Sequence, residues 1–227
     1  IEKNEFMAIA AHDLRAPLAT IAAVAGQIAT RLPPEKLPQA AGHIRQHADR
    51  MLALVNDYLG SHAVESGALP VRLTALDLGD AAREACQRHS AAAAAKGQPL
   101  ELGGDRAGVS VRADPALLAQ VIDNFVTNAL KFSPPSATVR LEVQVAADHP
   151  RARLAVIDQG PGIPDADQPL LFRKFGRTGT RPTGGESSHG LGLAVAKRLA
   201  EAMAGSVGCT SEPGRGTTFW IELPVAA

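Results

Sequence analysis

The chain has 227 residues, 45% hydrophobic and only 4% aromatic, so its cores must be built mainly from Ala, Leu, Val and Ile. At roughly 100–150 residues per domain, this length points to two units. Lys plus Arg and Asp plus Glu each number 23, a balance that excludes the broad positive field of a nucleic-acid binder or of a protein held on anionic lipid.

Cys86 and Cys209 have no metal-type spacing and form no disulfide framework, which fits a reduced, cytosolic setting. No apolar run reaches the roughly 20 residues of a membrane-spanning helix. The opening "IEKNEFMAIAAHD" already lies inside a helical pattern and reads as part of a longer protein, with room for a membrane anchor upstream.

Residues 1–31 are helical in pattern, with Phe6, Ala10, Leu14, Leu18, Ile21, Val24 and Ile28 on one broad face. With Phe6 at zero, that face centres near ~50° and His12 falls near ~240°, on the opposite side. Pro17 has no N–H to give the carbonyl of Asp13, which predicts a kink beginning at the His12–Asp13 pair. "RLPPEKLP" (31–38) breaks the helix. A second helix is predicted to run to about Leu59, with Ile44, Met51, Leu52, Val55, Tyr58 and Leu59 on its apolar side. Such a hairpin has too little core alone, so a second copy should complete it as a dimeric four-helix bundle.

"SGALPVRLTALDL" (66–78) reads as an extended linker, and a helix over 76–97 ends at Gly97. "PLEL" and "VSVR" are short strands. A helix follows with Asp114 as N-cap and Pro115 at its first position. "ATVRLEVQVA" and "ARLAVID" are strands, "HGLGLAVAKRLAEAMAG" is a helix, and "SVGCTS" and "GTTFWIEL" are closing strands. The predicted fold is a helical hairpin over 1–66, a linker over 67–76, and an α/β sandwich over 77–227 with a mixed sheet covered by helices on one face.

Four clusters in the second domain carry chemistry. In "QVIDNFVTNALKF" (120–132), Asn124, Asn128 and Lys131 share a face at spacings of four and three. Asn is a poor helix-interior residue, so the pair needs a reason. From this segment alone both a solvated face and a set holding metal and phosphates stay open. In "VIDQGPGIP" (156–164) a strand ends at Asp158, which can accept from an exocyclic amine, and Gly160 and Gly162 would let a flat ligand approach the backbone. A plain turn explains it equally well. Gly190, Leu191 and Gly192 lead into a helix N-terminus, where free N–H groups favour phosphate; ordinary capping is the alternative. "EPGRGTTFWIELP" (212–224) turns into the last strand and carries Thr217. Between the second and third clusters, residues 172–189 hold few apolar side chains after Phe175 and are expected to behave as a mobile lid, anchored by Phe172 and Phe175.

The order of these clusters resembles the nucleotide-binding domain of sensor histidine kinases, in the superfamily shared with gyrase, the heat-shock ninety chaperone and the mismatch-repair ATPases. "DNFVTNALKF" is similar to the N box, "DQGPGIP" to the G1 box, "LFRKFGR" to the F box, "HGLGLA" to the G2 box and "PGRGTTFWIELP" to the closing G3-type turn. Upstream, "FMAIAAHDLRAPLATI" resembles the H box of the dimerisation and histidine-phosphotransfer domain. The resemblance implies ATP and Mg2+ as cofactors. His12 would be the phosphoacceptor and Asp13 its base. Asn124, Asn128, Lys131, Asp158, Gly160, Gly162, Phe172, Phe175, Gly190, Leu191, Gly192 and Thr217 would bind ATP, with Asn128 also on magnesium.

It further implies a homodimer, a response-regulator receiver domain as partner, no nucleic acid, and a cytoplasmic placement with the sensor domain outside this chain. His43, His47, His62, His89 and His149 are read as ordinary surface histidines. The superfamily's hydrolases place a glutamate where Asn124 stands; a carboxamide is no base at neutral pH, which favours transfer over hydrolysis. A non-catalytic scaffold and a gyrase-type ATPase are the competing readings, disfavoured by the intact His12–Asp13 pair and by Asn124. Ala16 stands where many relatives carry Thr or Asn, so no side chain there positions water for removing phosphate from the partner.

Overall fold

The structure is a computed structural model that describes residues 2–48, 51, 70–104, 108–145, 150–173, 176, 182–183 and 190–226; for residues 2–13 and 31 it describes the backbone alone. The chain divides into two compact units, Ile1–Gly67 and Ala68–Ala227.

In the first unit, α1 (Glu2–Arg31) continues through Pro17. The missing N–H removes one intrahelical bond, yet the helix persists on both sides of it. Pro17 itself is buried. A turn of 3-10 helix, Pro34–Lys36, follows the proline pair, and α2 occupies residues 37–48, with Met51 also helical. The expected apolar positions Leu52, Val55, Tyr58 and Leu59 lie outside the described residues. On α1, Leu14, Ile21 and Val24 are half-buried, while Leu18 is 54% and Ile28 37% exposed.

The second unit begins with β1 (Thr74–Asp77) and α3 (Leu78–Ala95). Asp77 Oδ1 accepts from Asp80 N at 3.0 Å as the N-cap of α3, and its Oδ2 accepts from Gly108 N at 2.9 Å. The left-handed Gly97 lies just beyond the helix, as the sequence predicts. β2 (Leu100–Gly104) and β3 (Ser110–Ala113) follow. Then comes α4 (Pro115–Phe132), capped by Asp114, whose Oδ1 accepts from Ala116 N and Leu117 N. β4 (Val139–Val145), β5 (Arg151–Ile157), α5 (Gly192–Ala202), β6 (Ser206–Glu212) and β7 (Gly216–Pro224) complete it.

Five strands form one sheet in the order β2-β4-β5-β7-β6, parallel at β2–β4 and antiparallel elsewhere, the mixed sheet expected. β1 and β3 form a separate antiparallel pair, Thr74 opposite Ala113. The segment read as a linker over 67–76 therefore enters a strand at Thr74. β1 is short and partly exposed, with no alternating apolar pattern to announce it.

Leu141, Leu154, Val156, Phe219 and Ile221 stand opposite one another across β4, β5 and β7 and are buried. Leu118, Ile122, Phe125 and Val126 of α4 are equally buried, and Phe125 stacks on Phe219 at 5.7 Å. Fully burying such side chains contributes about 1.5–3 kcal/mol each. The other face is wetter: Arg153 bonds Glu222 at 3.0 Å and lies 4.2 Å above the ring of Trp220. The strands thus alternate inward apolar and outward polar residues, and α4 lies across their buried side, where its polar stripe can border a site.

Candidate functional site

On α4, Val121, Ile122, Phe125, Val126 and Ala129 are buried, while Asn124, Asn128 and Lys131 are half-buried along the adjoining stripe. Asn124 Nδ2 is buried and has no hydrogen-bond partner among the described residues. A buried amide donor left unmade costs about 1–3 kcal/mol, so this position is built to meet an acceptor. The start of α5 lies beside it: a Cβ on Gly192 would fall 2.7 Å from Asn124 Oδ1. Leu191, the residue before α5, is buried and supplies no side-chain cap, and Gly190 before it has φ +66°. Among the described residues no side chain caps the first turn of α5, which begins next to this carboxamide.

Asp158 directly follows β5 and is 4% exposed. Its N–H donates to Thr217 O at 2.8 Å. Its Oδ1 accepts from Gly160 N at 2.7 Å and Thr217 N at 3.1 Å. Burial pushes this carboxyl up to about 6, against the downward pull of the Gly160 and Thr217 N–H groups. No donor among the described residues is assigned to Oδ2.

Two glycines shape this corner. Gly162 has φ +72° and a Cβ there would lie 2.1 Å from Glu212 O; Gly216 has φ +97° and its Cβ would lie 2.1 Å from Asp158 O. Both backbones press against neighbouring strand ends and adopt a left-handed conformation that side chains disfavour. The structure therefore brings Asp158, Gly160, Gly162 and Thr217 together, and separately Asn124 with Gly192. A Cβ on Gly160 would stand 3.2 Å from Phe132 O, so the loop after Asp158 adjoins the C-terminal end of α4.

Phe172 is half-buried. Phe175 and most of the stretch expected as a lid lie outside the described residues. His12 and Asp13 are consecutive positions of α1 in the first unit, described as backbone alone. Asp123 faces α3 instead of the site: it bonds Arg88 Nη2 at 2.9 Å and His89 Nε2 at 2.9 Å. Burial alone would raise its carboxyl, and the bonds from His89 and Arg88 outweigh it and hold it low. His89, expected as an ordinary surface residue, is thus a hydrogen-bond partner of Asp123 across two helices.

Three contributors were not legible beforehand. Gly216 carries a positive φ that its place in "GRGTT" only hinted at. Ser211 accepts from Ile163 N at 2.8 Å and contacts Thr217 Oγ1 at 2.8 Å. Thr183 donates through Oγ1 to Lys131 O at 2.9 Å and Ser133 O at 3.0 Å, at the end of α4.

The family described as "Histidine kinase-, DNA gyrase B-, and HSP90-like ATPase" matches residues 113–227, a span that holds both of these clusters. The "His Kinase A (phospho-acceptor) domain" matches residues 2–67. The chain belongs to the histidine kinase family. The chain is 31% identical over 225 residues to the sensor protein GacS of Pseudomonas syringae pv. syringae, covering 97% of itself and 25% of GacS. It is 32% identical to the circadian input-output histidine kinase CikA of Synechococcus elongatus, covering 98% of itself and 30% of CikA. Among solved structures, full-length ShkA in complex with AMPPNP superposes with a TM-score of 0.72 at 31% identity, over 98% of this chain and 46% of ShkA. The chain thus spans about a quarter to a third of the length of these curated relatives. No described helix is long and apolar enough to cross a membrane.

Proposed function

We propose that the chain is an ATP-dependent histidine autokinase that phosphorylates His12 and passes the phosphoryl group to an aspartate of a response regulator. The observation that carries this is the pairing on one chain of a phospho-acceptor-type unit containing His12 with an ATPase-type unit whose α4 presents Asn124. Asn124 cannot act as a base for water, so the activated phosphoryl group is left for a side-chain nucleophile. An imidazole nitrogen of His12 attacks the γ-phosphorus. The N–P bond forms, the bond to the bridging oxygen of ADP breaks, and Asp13 takes the proton that the other ring nitrogen releases. The resulting phosphohistidine then donates to the regulator's carboxylate.

On the nucleotide side, Asp158 receives the exocyclic amine of adenine. Gly160 and Gly162 keep side chains off the base, and the first-turn N–H groups of α5, at Gly192, meet phosphate. Asn124 Nδ2, without a partner among the described residues, suits a phosphate oxygen, which leaves the carbonyl oxygen of Asn128, one turn on, for a cation. These oxygens fit magnesium, which when bound neutralises phosphate charge. If Asn128 is a ligand, Asn128→Ala should lose about tenfold in ATP affinity with magnesium and almost nothing with excess chelator. Titration calorimetry in both buffers checks this, and equal losses would remove Asn128 from the metal.

The raised carboxyl of Asp158 gives a pH signature. Between its ordinary 3.8 and about 6, the folded protein holds a proton the unfolded chain has released, so folding stability falls as pH rises through that window. Nucleotide binding runs the other way, because the ionised carboxylate is the stronger acceptor. ATP affinity should therefore rise through a step centred near pH 6, the value to which burial lifts this group. The step should vanish in Asp158→Asn; a flat profile in the unsubstituted chain would contradict the assignment.

The exposed Leu18 and Ile28 on α1 support a dimer through the helical hairpin. Light scattering at micromolar concentration should return twice the chain mass, and Leu18→Asp should shift the population toward monomer.

A further inference from the structure

We infer that Ser211 is a positioning residue that sets base specificity by fixing the direction of the Thr217 hydroxyl. This rests on the reading of the Asp158 corner as the adenine pocket. Ser211 Oγ has three neighbours: Ile163 N at 2.8 Å, Gly216 O at 3.0 Å and Thr217 Oγ1 at 2.8 Å. The Ile163 N–H can only donate and the Gly216 carbonyl can only accept. A serine hydroxyl has one proton. The inferred arrangement gives that proton to Gly216 O, 3.0 Å away, and has the Thr217 hydroxyl donate its own to Ser211. Gln168 steadies the arrangement, donating through Nε2 to Ser211 O and Ile163 O, each at 3.1 Å.

With its proton held by Ser211, Thr217 Oγ1 shows any ligand lone pairs only. Its backbone N–H donates to Asp158 Oδ1 at 3.1 Å, so the hydroxyl and the carboxylate belong to one corner. Both present acceptors. A 6-amino purine brings N–H donors to such a corner. A 6-oxo purine brings a carbonyl oxygen to face the Thr217 lone pairs. Its N1–H could still reach a carboxylate, so Asp158 alone excludes it poorly; the direction of the Thr217 hydroxyl completes the discrimination. Without Ser211, that hydroxyl is released to turn and donate to a 6-oxo group.

Calorimetric titration of the full chain with ATP and with inosine triphosphate, both with magnesium, tests this. The ratio of the two affinities should fall about tenfold in Ser211→Ala, and Ser211→Thr, which keeps the hydroxyl, should restore it. A merely structural role for Ser211 would weaken both nucleotides alike and leave the ratio unchanged, which would overturn the proposal. Should Ser211→Ala fail to fold, Thr217→Val carries the test. It removes the lone pairs that face the 6-oxo group, so its ratio should also collapse, and full discrimination in that variant would overturn the proposal. Failure of the unsubstituted chain to bind ATP would overturn the adenine reading together with this inference, whereas ATP binding with an unaltered ratio in the variants overturns this inference alone.

Discussion

His12→Gln is expected to abolish phosphoryl incorporation from ATP, a loss of at least about a thousandfold, while nucleotide affinity stays within roughly twofold. The two readouts separate because the residues belong to different units: His12 lies in Ile1–Gly67, and the nucleotide clusters lie in Ala68–Ala227. Glutamine preserves size and helical compatibility but offers no nucleophilic nitrogen. Filter assays with γ-labelled ATP, beside calorimetry with a non-hydrolysable analogue, give both numbers on one preparation. Labelling at the unsubstituted rate would show that another side chain is the acceptor.

Asp158→Asn is expected to do the reverse, with ATP affinity falling about a hundredfold and labelling failing only because nucleotide is absent. The carboxylate is 4% exposed and anchored on one oxygen by Gly160 N and Thr217 N. Asparagine can keep those two contacts through its carbonyl oxygen, which holds the loop in place. Its amide group then turns a donor toward the amine of adenine, where an acceptor is needed. Stability should not suffer at neutral pH, because a buried ionised carboxylate is replaced by a neutral group. A folded variant that binds ATP with unchanged affinity would remove Asp158 from the base.

Much of this architecture is written in local chemistry. Asp114–Pro115 announces α4 and Gly97 marks the end of α3, because caps and left-handed turns depend on a few adjacent residues. Asn124 and Asn128 stand out because two poor helix formers one turn apart, beside the apolar face of α4, ask for a purpose. What stayed hidden depends on contacts distant in sequence. β1 is recognisable only through its pairing with β3, and nothing in "TALD" alternates. Ser211 is an unremarkable strand residue until the fold sets Ile163 N–H, from a loop far back in the chain, against its hydroxyl. His89 looked like a solvated histidine, because its partner Asp123 sits on another helix.

An autokinase of this kind moves a phosphoryl group from ATP to His12. The most direct measurement is to incubate the purified chain with γ-labelled ATP and magnesium, then map the modified residue by mass spectrometry under alkaline conditions that preserve phosphoramidates. The expected product is an acid-labile, base-stable phosphoryl group on the peptide containing His12, with ADP released in equal amount. Label on a serine, threonine or aspartate, or ATP hydrolysed to free phosphate with His12 unmodified throughout, would contradict it.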